Sequence, residues 1–347
     1  MTIPTHPYSP AADLSRFWVI AVISNPQRYK RRYELFFPFQ DMCLAAGVNL
    51  IVVEQAFGDR PFMITESSNP YHIQVRTIEE LWHKENMINM GVVRAAQFGA
   101  REIAWVDADV RPTYHPRTWF EETWHELQHY EFVQMWENLI DLDLRGNMMS
   151  HSKGFMSNYV KMGSPDVKEL RRLALNSNEK IMYPYYGADG ATGKELFIGH
   201  PGGAWAANLD AFNKVGGLID YAILGSGDHY MAYALLGTLQ ASRLGVAVTS
   251  QYEKRLLAWQ GRCEHWIKRD VGFVRGTLLH DYHGPKVNRG YSTRWKILTD
   301  NYYDPDTDIK YDAQGMLQLE TVLPRQIKLR DDIRNYFRSR NEDSTGT

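Results

Sequence analysis

The chain has 347 residues, 44% of them hydrophobic and 23% charged, the balance of a folded protein with a sizeable core rather than a disordered or fibrous one. A formal net charge of -2 gives no overall attraction to nucleic acid or anionic membrane. Two cysteines, Cys43 and Cys263, are too few for a disulfide framework or a structural zinc cage, and no run of ~18 apolar residues predicts a membrane span.

In chain order, "RFWVIAVIS" (16–24) is a continuous apolar run of strand length, the pattern of a strand buried on both faces. Helix-spaced apolar residues follow from Tyr29 to Ala46 and stop at Gly47, a natural C-cap. "VNLIVVEQAF" predicts a second buried strand, "YHIQVR" a third, and "LWHKENMINMGVVRAAQFGA" an amphipathic helix. "EIAWVDADV" predicts the next strand. This alternation argues for an α/β fold, an open and mainly parallel sheet flanked by helices in the Rossmann-like manner, with ligands at the carboxyl ends of its strands.

The order is less regular afterwards. "HYEFVQMWENLIDLD" predicts one strand running into a loop, and 145–190 lacks a period and is expected to be an insertion. "GFVRGTLLHDYHG" predicts a late strand ending in histidines, and the segment from Pro324 a basic amphipathic helix. No internal repeat or low-complexity segment occurs.

Asp107 and Asp109 sit one residue apart where an apolar strand ends. Each raises the cost of ionising the other unless a cation lies beside them. A hard divalent ion such as Mg²⁺ or Mn²⁺ takes carboxylate oxygens together with substrate phosphates, so the pair predicts a metal-assisted phosphate site.

An α/β amino-terminal half, the D-x-D strand end, a "GG" loop at 202–203 and "GSGD" at 225–228 on a helix start together resemble the GT-A class of nucleotide-sugar glycosyltransferases. The nearest resemblance is to family 2-like members encoded by bacteriophages, and it covers roughly 16–294. It implies a glycosyltransferase domain over 14–300, with a nucleotide-binding half (14–110), an acceptor-side half (111–300) carrying the insertion, and a tail over 301–347. It also implies a Mn²⁺- or Mg²⁺-dependent enzyme using a nucleotide-sugar donor, a UDP-sugar. A cytoplasmic location is expected, the host cytoplasm if the source is viral, because the first residues lack a basic-then-apolar leader pattern.

Residue by residue, the resemblance gives Ser24, Asn25 and Arg28 to the loop around base and ribose, and Glu54 to the acidic residue that meets them. Lys84 and Asn89 would face the donor. Asp107 would meet the ribose and join Asp109 as the metal pair, completed by His280 or His283. Gly202 and Gly203 would let backbone approach the donor sugar, with Trp205 stacking on it. Lys286 and Arg289 would clamp the diphosphate, and Asp228 would be the general base that takes the acceptor hydroxyl's proton. Many members carry two acidic residues at this last place. Here Asp228 is followed by His229, which leaves acceptor contacts and stereochemical outcome open.

If the chain is viral, the acceptor expected is a 5-hydroxymethylpyrimidine in phage DNA, with the basic tail (Arg325, Lys328, Arg330, Arg334, Arg338, Arg340) and the Lys/Arg-bearing insertion tracking phosphates. A glycan or protein acceptor is the alternative. A sugar nucleotidyltransferase is a further one, against which "SNPQRY" stands where a glycine-rich G-x-G-T-R-like loop belongs. A non-catalytic binding protein is the last.

Overall fold

Residues of the first strand alternate between two cores. In the computed structural model, β1 (Phe17–Ser24) turns Trp18 and Ile20 to one face of the sheet and Phe17, Val19, Ala21 and Ile23 to the other. That explains its uninterrupted apolar run, because both faces are covered. The structure describes residues 11–166, 168–169, 182–186, 192–196, 199–242, 248–291 and 293–345.

Helix α1 (Lys30–Ala46) ends at Gly47, whose φ of 74° is a left-handed conformation that glycine adopts without strain. Then come β2 (Asn49–Phe57), β3 (His72–Thr77), α2 (Lys84–Gln97) and β4 (Glu102–Val106), close to the elements the periodicity predicts. Gly91 of α2 faces β1, where a Cβ would come within 2.4 Å of the Ile20 side chain, so glycine lets helix and sheet approach closely.

Further elements are β5 (Val110–Pro112), α3 (Pro116–Glu126), β6 (Phe132–Gln134), β7 (Asn138–Leu142), β8 (Met148–Lys153) and α4 (Phe155–Lys161). After them come β9 (Met182–Tyr186), β10 (Thr192–Leu196), β11 (Ala204–Asn208), α5 (Leu209–Val215), α6 (Gly227–Leu235) and α7 (Ser250–Trp266). The chain ends through β12 (Val271–Phe273), β13 (Thr277–His280), α8 (Lys296–Asp300), β14 (Ile309–Tyr311), β15 (Leu317–Leu319) and α9 (Pro324–Ser339). Most of the expected insertion after α4 lies outside the described residues.

The main sheet has seven strands in the order β12-β6-β11-β4-β1-β2-β3, and β11 runs antiparallel to both its neighbours while the other pairings are parallel. A second sheet has the order β5-β13-β7-β8. Three runs that read as single strands are each divided between the two sheets. β4 passes to β5, β6 to β7 and β12 to β13, with breaks at 107–109, 135–137 and 274–276. Asp107 and Asp109 occupy the first break.

The segment expected to be a tail is built into the fold. Leu329, Ile333, Tyr336 and Phe337 of α9 belong to the same core as α2, α6 and α7. Beyond α9, Asp343 accepts hydrogen bonds from the Lys30 and Arg31 backbone N–H groups (2.8 and 2.9 Å), capping an α1 start that has no side-chain cap of its own.

Candidate active site

Strand register assembles the centre of the site. On β13, His280 is the partner of Asp141 on β7 and of Val110 on β5, which sets its ring beside Asp109. The loop after β13 then returns His283 to the same point. His283 Nε2 lies 2.9 Å from Asp109 Oδ2, and His280 Nε2 lies 3.6 Å from that oxygen and 3.2 Å from His283 Nε2. All three donor atoms fall within 4.8 Å of one another.

Several features fit a divalent metal here. Asp109 Oδ1 is buried and has no hydrogen-bond partner. His280 Nδ1 stands 2.6 Å from Asp141 Oδ1, so Nδ1 carries the proton and Nε2 turns toward Asp109, the usual orientation of a metal-ligating imidazole. Arg289 Nη2 donates to His283 Nε2 (2.8 Å), so that nitrogen is unprotonated, and the arginine has to give up this contact for the same lone pair to ligate a metal. Two imidazoles and one carboxylate suit Mn²⁺ better than Mg²⁺, which prefers oxygen ligands.

The electrostatics agree with this arrangement. Burial pushes the Asp109 carboxyl up, but His283 and His280 outweigh it and hold it well below the usual range. Burial lowers His280, yet Asp109 and Asp141 raise it to about 9. Burial and Arg289 take His283 down to about 4. At neutral pH, His280 therefore carries a proton that a metal must displace.

Asp107 stands outside the three-residue cluster. Lys84 binds its carboxylate, and burial raises its pKa against that pull. The two aspartates thus relieve their repulsion in different ways, one with an ammonium and one with imidazoles.

Around this centre lies a cavity of about 470 Å³, lined among others by Ser24, Lys84, Asp107, Asp109, Gly202, Gly203 and Asp228. A Cβ at Gly202 would come within 2.7 Å of Asp228 Oδ2, so the glycine makes room for that carboxylate. Asp228 Oδ1 accepts the His229 backbone N–H (2.8 Å) at the start of α6.

Other predicted residues stand elsewhere. Glu54 is spent on the loop after β2, accepting from the backbone of Met63, Ile64 and Thr65 and from the Thr65 hydroxyl. Asn89 bonds both backbone groups of Leu218 and joins α2 to that loop. Trp205 is 1% exposed and donates to Pro201 O, leaving no face for a sugar. Asn25 closes a turn on the Tyr29 backbone, and Arg28, at φ 58°, shapes that turn without lining the cavity. Lys286 binds Asp141 Oδ2 at 2.6 Å, so it supports His280 from behind.

Sequence reasoning missed Asp141, although "NLIDLD" also ends an apolar strand on a carboxylate. It missed Glu342 as well, which is 3% exposed and binds Arg32 and Arg340 at the cavity wall. Arg294, which no motif marks, is also buried and lines the cavity.

No family model matches the chain, and no curated protein matches it. Among solved structures it is similar to the catalytic domain of Drosophila beta-1,4-galactosyltransferase 7 in complex with xylobiose. The identity is 12% over 90% of this chain and 98% of that one, with a TM-score of 0.35. A mutant of the Drosophila enzyme in complex with manganese, UDP-Gal and xylobiose is similar at 11% identity, with coverage of 90% and 98% and a TM-score of 0.35. A mannose-1-phosphate geranyltransferase of Thermus thermophilus is similar at 12% identity over 77% of this chain and 74% of that one, with a TM-score of 0.28. Likeness of this grade fixes neither activity nor ligand.

Proposed function

We propose that the protein is a metal-dependent GT-A glycosyltransferase that moves a sugar from a nucleotide-sugar donor, a UDP-sugar, to a hydroxyl acceptor. The observation that carries this reading is the convergence of Asp109, His280 and His283 at the carboxyl end of the main sheet, with Asp228 lining the same cavity. A divalent ion held by these three residues would neutralise the diphosphate leaving group.

The remaining work falls to the chain's own groups. Arg289, beside His283, binds a donor phosphate, and Lys84 adds charge next to Asp107 where the ribose would lie. Asp228 takes the proton from the acceptor hydroxyl as it attacks the anomeric carbon. The cavity walls keep water from competing for that carbon.

A sugar or protein hydroxyl is the acceptor favoured over DNA. The DNA reading relied on a basic tail free to track phosphates and on the Lys/Arg-bearing insertion, part of which lies outside the described residues; the tail is not free. Its cations have acidic partners instead: Arg325 with Asp308, Lys328 with Asp332, Arg330 and Arg334 with Asp331, Arg338 with Glu80, and Arg340 with Glu342.

The direct test is release of nucleotide from a panel of nucleotide sugars with Mn²⁺ and an acceptor library. Turnover of one donor that needs both Mn²⁺ and Asp228 supports the assignment. Failure of every nucleotide sugar to bind would end it.

A further inference from the structure

The charges that line the cavity do not balance locally. Lys84 pairs with Asp107, Arg32 and Arg340 share Glu342, and Asp109 lies with His280 and His283. Two guanidinium groups, Arg289 and Arg294, and one carboxylate, Asp228, are left; neither guanidinium pairs with a carboxylate among the described residues, so the wall keeps one cation in excess. Arg289 points at the metal cluster through His283, where the donor diphosphate would sit.

Arg294 has different partners. It is 8% exposed, and its guanidinium donates to the Ser226 hydroxyl and to Tyr336 Oη (3.2 Å). Its Nε is buried without a partner. Tyr291 and Trp295 flank it, with ring centroids 5.2 and 4.9 Å from Cζ. Ser226 is two residues before Asp228, so this cation stands on the side of the cavity where the acceptor hydroxyl would lose its proton. A buried guanidinium met by hydroxyls and aromatic rings but by no carboxylate is costly unless an anion joins it.

We propose that Arg294 is a specificity residue that binds a second anionic group, a carboxylate or phosphate ester carried by the acceptor or by the transferred sugar. The inference rests on the glycosyltransferase reading and narrows it to acidic substrates. Aromatic walls and hydroxyl anchors fix the planar guanidinium in place, as bidentate recognition of a carboxylate or phosphate requires.

Two arms of one binding experiment separate the sources, both on the full chain with Mn²⁺. The donor arm compares UDP-glucuronate with UDP-glucose by calorimetry. The acceptor arm adds glucuronate, glucose 6-phosphate or glucose to the protein already holding UDP.

The acidic ligand of one arm should bind about tenfold or more tighter than its neutral counterpart, the discrimination of one charge-assisted contact. Arg294→Gln should abolish that preference and Arg294→Lys should keep part of it. If the Gln variant does not fold, the wild-type preference together with the Lys variant decides. Binding of UDP-glucose with no charge preference in either arm overturns the inference and leaves the glycosyltransferase reading intact, as does a preference that survives Arg294→Gln. Binding of no nucleotide sugar at all overturns both.

Discussion

His280 and Asp141 face one another as register partners on β13 and β7, with 2.6 Å between Nδ1 and Oδ1. The contact spans 139 positions of sequence and fixes the ring that turns Nε2 toward Asp109. An Asp141→Ala variant should therefore bind Mn²⁺ about 10–100-fold more weakly, the usual loss when a metal-ligating histidine loses its orienting carboxylate. Titration of Mn²⁺ by calorimetry checks this, and unchanged affinity would mean that the contact orients nothing.

Asp228→Asn should separate chemistry from binding. The carboxylate touches no member of the metal cluster, so Mn²⁺ and donor should still bind. Transfer should fall by about 10²–10⁴, the range for loss of a general base. A variant that transfers normally would remove Asp228 from the mechanism.

Glu342 is a stability prediction. It is buried between Arg32 and Arg340, and removing it leaves the buried Arg340 and the partly exposed Arg32 without their carboxylate. Glu342→Ala should cost about 3–5 kcal/mol in chemical denaturation. Burial opposes the ionised form, but Arg32 and Arg340 hold the carboxyl down at about 2. A depressed acid stabilises the fold above its unfolded pKa and loses that contribution as pH falls toward the folded value. The wild-type advantage over the variant should accordingly shrink between about pH 4.5 and pH 2.

Glu85 works in the opposite sense. At 4% exposure it lies under Gly227, with one carboxyl oxygen unpartnered, and burial raises its pKa to about 8 against the pull of Lys84, with Asp228 and Asp107 adding to the rise. A raised acid is stabilising below its unfolded pKa and loses that contribution as pH climbs to the folded value. Stability should decline from about pH 4.5 to pH 8, and Glu85→Gln should flatten the decline. Equal slopes for both proteins in urea titrations across that window would refute it.

Much of the frame was legible in the sequence. The strands at 17–24 and 49–57, the helix ending at Gly47 and the aspartates at a strand end follow from periodicity and turn chemistry. The breaks at 107–109, 135–137 and 274–276 were not, because a strand passing between sheets stays apolar on both sides of the break. Asn89 and Glu54 look like ligand residues in the sequence because they are polar beside apolar runs, yet each satisfies backbone groups of a neighbouring loop. Asp141, Arg294 and Glu342 acquire their meaning only from pairings between distant segments, which no local pattern encodes.

The central claim is that Asp109, His280 and His283 hold the ion on which donor binding depends. Calorimetry of UDP-glucose and other nucleotide sugars, with and without Mn²⁺, on wild type and His283→Ala tests it most directly. One donor should bind wild type tightly only with Mn²⁺, and the variant should lose the metal-dependent part. Donor binding that ignores both Mn²⁺ and His283, or no donor binding under any condition, would contradict it.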